Sequence, residues 1–183
     1  MSGRPAVFLD RDGTLIEDPG YLSDAGRMRL LPGAADAVAR LNRAALPVVV
    51  VTNQSGIARG LVTEQQYLAT ERRLDELLQP HAAHVDAHYF CPHHPDVTGP
   101  CDCRKPALLL YNRAADRFGI DPAASWWIGD RLRDVLPAEA LGGRGILVLS
   151  GAGTEDAASA QARQIQIAPD LPAAVDSVLT RRP

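Results

Sequence analysis

The sequence contains no stretch approaching the ~20 consecutive apolar residues that a membrane-crossing helix needs, so no helical span is expected. Its first apolar run, Ala6 to Leu9, is too short for a secretory h-region and ends on Asp10. A soluble, cytoplasmic protein is the expectation. No block of Lys or Arg stands out. The 19 basic side chains are set against 22 acidic ones, for a net charge of −3, and such a balance does not point to nucleic acid as a partner. Cysteine is scarce too. Cys91, Cys101 and Cys103 crowd into one short stretch, and an odd number so placed builds no disulfide framework and points to metal instead. No internal repeat and no long linker divides the 183 residues, so one domain over 1–183, with a cysteine loop at 91–103, is expected.

What is present alternates. The run Ala6–Leu9, the four valines Val48–Val51, the weaker His88–Phe90, then Ser125–Ile128, Ile146–Leu149 and Ile165–Ile167 read as short strands. A four-valine run suits a strand buried on both faces. Between the runs, apolar residues recur at helical spacing: Ala34, Ala37, Val38 and Leu41; then Tyr67, Leu74, Leu77 and Leu78; then Leu108, Tyr111, Ala115 and Phe118. Thr63 with Gln66 three residues on resembles a capping box. Leu171, Ala174, Val175, Val178 and Leu179 mark a last amphipathic helix. Repeated βα units predict an α/β fold, a Rossmann-like three-layer sandwich with a mostly parallel central sheet. Trp126 and Trp127 are expected in the core, and Gly151 to Ala162 as a mobile surface segment. His81, His84 and His88 follow no ligand spacing.

In open α/β sheets ligands bind beyond the carboxyl ends of the strands, and four such ends carry chemistry here. Asp10-Arg11-Asp12-Gly13-Thr14 follows the first run and Thr52-Asn53-Gln54-Ser55-Gly56 the second. Arg104-Lys105-Pro106 follows the cysteine loop, and Gly129-Asp130, with Asp134, ends the fourth run. Two carboxylates two residues apart repel unless a cation or proton separates them. Asp130 adds a third acid, and an oxygen-rich set of Asp10, Asp12 and Asp130 suits Mg²⁺. Thr52, Asn53 and Lys105 offer a hydroxyl, an amide and a positive charge, the donors a phosphoryl group needs. In the cysteine loop, Cys91-Pro92-His93 and Cys101-Asp102-Cys103 make two half-sites, and Cys₃His is a closed tetrahedral zinc set. His94 competes with His93, which is favoured because its C-x-H step mirrors C-x-C. Four protein ligands leave no open position, so the zinc is expected to be structural and to pin the loop presenting Arg104 and Lys105.

The segments DRDGT, TNQSG, RKP and GDRLRD, in this order over residues 10–134, resemble the four motifs of the haloacid dehalogenase-like phosphatases. That resemblance implies a covalent mechanism, and the small size of the chain, with no large cap domain inserted, suggests an open site closed by loops. Asp10 attacks phosphorus, and Asp12 protonates the leaving oxygen and then activates water. Mg²⁺ is implied on the Asp10 carboxylate, the Asp12 backbone carbonyl and Asp130. Thr52 and Lys105 steady the phosphoryl oxygens, and Asp134 orients Lys105 or a metal-bound water. A zinc loop just before the RKP segment is similar to two branches, the heptose 1,7-bisphosphate phosphatases of nucleotide-activated heptose synthesis and the histidinol-phosphate phosphatases. The run Thr52 to Gly60, with Ser55 where the histidinol branch typically has Asp, and Asp18-Pro19-Gly20-Tyr21 look like the heptose branch. The substrate-binding set implied is Asp18, Tyr21, Thr52, Asn53, Gln54, Ser55, Arg104, Lys105 and Arg131. A small phosphorylated sugar as substrate and a monomeric enzyme are the matching expectations. A non-catalytic zinc-bearing interaction module is the reading from another class, and the set Asp10, Asp12, Lys105 and Asp130 argues against it. The zinc loop is short for the heptose branch, and Ala107 stands where a second Pro is usual. Pro137 is tolerable only in a first helical turn.

Overall fold

A computed structural model of the chain describes residues 3–181. Its strands and helices are β1 (Val7–Leu9), α1 (Ala34–Arg43), β2 (Val48–Asn53), α2 (Ser55–Ala58), α3 (Glu64–Leu78), β3 (Ala87–Cys91), α4 (Pro95–Thr98), α5 (Leu109–Phe118), β4 (Trp126–Gly129), α6 (Leu132–Leu141), β5 (Arg144–Val148), α7 (Gly153–Ala162), β6 (Gln166–Ala168) and α8 (Leu171–Thr180). The six strands form one parallel sheet in the order β3-β2-β1-β4-β5-β6. The predicted α/β sandwich is therefore what the chain forms. The strand order reverses between β1 and β4, which is where the general rule for such sheets places a ligand.

Alternation along the strands builds two cores. Val7, Leu9, Val48, Val50, Trp126 and Ile128 face α1, α3 and α8. Phe8, Val49, Val51 and Trp127 face α5 and α6. The valines at 48–51 are all 0–1% exposed, and burial of each contributes on the order of 1.5–3 kcal/mol. Trp127 stacks on Phe8 with ring centroids 4.8 Å apart, so both tryptophans are core, as predicted. The Thr63 capping box forms in full, with Gln66 N donating to Thr63 Oγ1 and Thr63 N to Gln66 Oε1. His81 and His88 meet Asp36 and Asp75 at 2.9 and 3.0 Å, as hydrogen-bonded side chains rather than ligands.

Three expectations need correction. The stretch 151–162, read as mobile, forms α7, of which only Gly153 and Ala160 are buried. Its alanines favour helix, and polar latches replace the missing apolar stripe: Leu132 N donates to Asp156 Oδ2 at 2.7 Å, and Arg131 pairs with Glu155 at 2.6 Å. Pro137 lies inside α6, past its first turn. Its ring leaves the Arg133 carbonyl without the N–H that a helix would otherwise supply, and α6 continues past it to Leu141. Thr52 and Asn53 do not follow the second strand but belong to it, because their pairing with Phe90 and Cys91 extends β2 by two residues.

Candidate active site

Asp10 leaves the end of β1, its backbone N–H donating to Ile128 O of β4 at 2.9 Å. The chain then curls tightly. The N–H groups of Thr14, Leu15 and Ile16 all point at Arg11 O, and Gly13 N donates to Ile16 O. Gly13 has φ +81°, and a Cβ there would collide with the Asp130 carboxylate. A Cβ on Gly151, with φ +57°, would collide with the same carboxylate and with the Gly13 backbone. The two glycines let backbone approach Asp130 closely. Asp130 Oδ2 accepts from Ala152 N at 2.9 Å, so the segment entering α7 seats this acid.

Lys105 is the only lysine in the chain, and it is 3% exposed. Its Nζ donates to Asp10 Oδ1 at 2.6 Å and to Val51 O at 2.7 Å, and lies 2.8 Å from Asp134 Oδ1. Asp134 Oδ2 in turn accepts from Arg131 N at 2.9 Å. Asn53 clamps the lysine's backbone: Lys105 N donates to Asn53 Oδ1 at 3.0 Å, and Asn53 Nδ2 donates to Lys105 O at 3.3 Å. Burial alone would neutralise this ammonium, but Asp10 and Asp134 outweigh it and raise its pKa.

Carboxylate oxygens of Asp10, Asp130 and Asp134 lie within 4.8 Å of one another. Burial first, and then Asp134, pushes Asp10 up to about 8. Burial also lifts Asp130 to about 6. Three carboxylates against one ammonium leave the cluster short of positive charge, and its donors are all hard oxygens. The set fits a divalent cation such as Mg²⁺. Asp12, expected in this oxygen-rich set, contributes no carboxylate to the cluster. Asp134 completes the cluster instead, because the Asp12 carboxylate is turned to Arg11, Gln54 and Thr52, with shortest contacts of 3.0, 2.9 and 3.4 Å. Asp12 remains available to the cluster only through its backbone, the route implied by the family resemblance.

The cavity above the cluster is lined by Asp18, Tyr21, Thr52, Gln54, Ser55 and Arg131 among others, all expected at the site. Asn53 lines it too, although both ends of its amide are engaged by Lys105. Arg104 does not line it; its Nη1 donates to His93 O at 3.1 Å, on the cysteine loop. Arg133 does line it, without having been expected there. The signal for it was available, since the i, i+2 step from Arg131 at a helix start keeps both residues near the strand end. Arg11 was not expected either, as a residue between two functional carboxylates carries no periodicity that marks it.

Cys91 closes β3, and the loop beyond returns Cys101 and Cys103 to it. The three Sγ···Sγ distances are 3.0, 3.6 and 3.7 Å, and His93 Nδ1 lies 3.2 Å from Cys103 Sγ and 3.9 Å from Cys91 Sγ. A disulfide would need ~2.05 Å, whereas a tetrahedral ion at ~2.3 Å from each sulfur sets them roughly 3.8 Å apart. Burial raises Cys101, but hydrogen bonds from Cys103 and the Arg104 backbone outweigh it and bring this thiol down to about 7. His94 is engaged elsewhere. It caps α4 through Nδ1 and meets Arg59 Nη2 at 2.9 Å through Nε2, so it is His93 that joins the thiols.

Residues 7–94 match the haloacid dehalogenase-like hydrolase family, and residues 102–174 match a HAD-hydrolase-like family. With these matches and the relatives that follow, the chain belongs to the haloacid dehalogenase-like hydrolases. It is 39% identical over 178 residues to the D-glycero-beta-D-manno-heptose-1,7-bisphosphate 7-phosphatase of Escherichia coli K12, covering 93% of each chain. It is 40% identical to the Yersinia pestis protein of the same name, over 80% of this chain and 81% of that one. Among solved structures, the D,D-heptose 1,7-bisphosphate phosphatase of B. bronchiseptica, complexed with magnesium and phosphate, superimposes with a TM-score of 0.88. It is 34% identical and covers 96% of this chain and 98% of its own.

Proposed function

We propose that this chain is a magnesium-dependent phosphatase that removes the C7 phosphate of D-glycero-D-manno-heptose 1,7-bisphosphate by way of a phosphorylated Asp10. The observation that carries the chemistry is the buried Asp10 carboxylate at the β1–β4 reversal, with Lys105 on one oxygen and Asp130 and Asp134 beside it. Similarity to heptose bisphosphate phosphatases over nearly the whole chain supports the substrate. The Asp10 oxygen not bonded to Lys105 attacks phosphorus, and the bond between phosphorus and the sugar oxygen breaks. Asp12 gives that oxygen a proton. Water then attacks the aspartyl phosphate, Asp12 takes the water's proton, and phosphate leaves. Lys105 and Thr52 steady the charge on the phosphoryl oxygens. Asp10, the Asp12 backbone carbonyl and Asp130 would hold Mg²⁺, which supplies Lewis-acid stabilisation of the phosphoryl charge. Asp18, Tyr21, Gln54, Ser55 and Arg131 meet the sugar, and Arg104 joins them only if the cysteine loop brings it over the cavity. No helix among the described residues is long and apolar enough to cross a membrane; the reading is of a cytoplasmic monomer.

A comparison of phosphate release from heptose 1,7-bisphosphate, in both anomers, and from histidinol phosphate tests this reading. The heptose substrate is expected to give the higher kcat/KM by a factor of about 100 or more, with loss of activity when Mg²⁺ is chelated. Preference for histidinol phosphate would overturn the choice of substrate.

Cys91, His93, Cys101 and Cys103 would hold a structural Zn²⁺. With that ion held, the Arg104–His93 hydrogen bond would fix how the loop presents Arg104 and Lys105. Stripping it with a strong zinc chelator is expected to lower the Tm by about 5 °C or more and to reduce activity even when Mg²⁺ is restored. An unchanged melting curve would contradict a metal there.

A further inference from the structure

Asp12 is the group asked to move a proton twice, yet donors surround its carboxylate. Arg11 forks it, Nε reaching Oδ2 at 3.1 Å and Nη2 reaching Oδ1 at 3.0 Å. Gln54 Nε2 donates to Oδ2 at 2.9 Å, and Thr52 Oγ1 lies 3.4 Å from the same oxygen. The two oxygens are thus fixed in direction as well as in place, because a guanidinium fork is planar and bidentate.

Arg11 is itself anchored away from the reacting atoms. It is 1% exposed. Its Nη1 donates to Thr70 Oγ1 of α3 at 2.8 Å, and the Thr70 hydroxyl donates onward to Tyr67 O at 2.7 Å. The guanidinium carbon sits 5.3 Å from the centroid of the buried Tyr67 ring. Burying a guanidinium is costly unless a partner compensates, and the partner used here is the proposed acid/base. A residue serving only as spacer between two carboxylates needs neither the burial nor the anchor.

The two halves of the reaction differ in what can orient Asp12. In the first half the sugar oxygen is in place and gives Asp12 a partner. In the second half that oxygen has left. Water's oxygen bonds to phosphorus, the bond from phosphorus to Asp10 breaks with its electron pair returning to the Asp10 carboxylate, and the water's proton goes to Asp12. Only the protein can then aim the Asp12 carboxylate. We propose that Arg11 is a positioning residue for this second half, its Thr70-anchored fork aiming Asp12 at the water that breaks down the aspartyl phosphate. The inference rests on the reading of Asp10 and Asp12 given above.

The test is a rapid acid quench with a ³²P-labelled phosphomonoester substrate and Mg²⁺, followed by a chase with unlabelled substrate, with Asp10→Asn as the blank. Label on the wild-type protein should form and decay. In Arg11→Met, decay should be on the order of tenfold slower while formation stays within about twofold. Arg11→Lys keeps the charge without the fork and should fall between. Thr70→Val, which frees the guanidinium outside the cavity, should slow decay about two- to threefold, and it carries the test if Arg11→Met does not fold. Decay at the wild-type rate in these variants, or formation and decay slowed equally, overturns the inference. No label on the wild type at any time overturns the underlying reading instead.

Discussion

Replacing Asp10 with Asn is expected to lower phosphate release by a factor of about 10⁴ or more, with the protein still folded. The amide has no carboxylate oxygen to attack phosphorus, and Asn supplies a poorer ligand to a divalent cation. Stability should move the other way. Burial and the neighbouring acids raise Asp10 from 3.8 to about 8, so in the metal-free protein this carboxyl opposes folding once it ionises. The sign follows from linkage: a folded-state pKa above the unfolded one favours the fold at low pH, and that advantage is lost as pH rises from about 4 towards about 8. Asn does not titrate. Metal-free Asp10→Asn should therefore melt at or above the wild-type temperature near pH 8, while the wild type gains more from added Mg²⁺. Phosphate-release assays and thermal melts with and without Mg²⁺ check both parts, and activity within tenfold of wild type would remove Asp10 as the nucleophile.

Lys105→Met is expected to fail on both counts. Lys105 is the ammonium set between Asp10 and Asp134, and its side chain is 1% exposed. Its loss leaves two buried carboxylates without a counter-charge and Val51 O without its side-chain donor. Breaking a buried pair from one side costs about 3–5 kcal/mol, or a Tm fall of roughly 10 °C in a chain of this size. Loss of a donor poised for the phosphoryl oxygens should lower kcat by a further factor of about 10²–10³. Arg does not restore the arrangement, since a planar fork cannot meet three acceptors converging on one nitrogen. A Lys105→Met protein with wild-type stability would show that the acids share protons rather than lean on the lysine.

The α/β fold was legible because short apolar runs alternate with the helical stripes of α1, α3, α5 and α8. Asp10 and Asp130 stand at the ends of such runs and Lys105 follows the cysteine loop, so all three came into view from the residues alone. Side-chain direction was not legible. Nothing in DRDGT says that Asp12 turns to Arg11 while Asp134, four residues past Asp130, swings into the acid cluster; that follows from the curl at Arg11 O and the start of α6. The helix α7 escaped notice because it is held by Asp156 and Glu155 rather than by a buried apolar face. Arg104 sits beside Lys105 in sequence, but its guanidinium is tied to the His93 carbonyl on the cysteine loop, outside the cavity lining.

The covalent role of Asp10 can be measured directly. Quenching turnover into borohydride reduces an aspartyl phosphate to homoserine, and mass spectrometry of the peptide carrying residues 7–11 locates the change. Homoserine at position 10, dependent on substrate and Mg²⁺ and absent from Asp10→Asn, is the expected result. Reduction at another aspartate, or substrate consumed by active enzyme with no residue reduced, would contradict it.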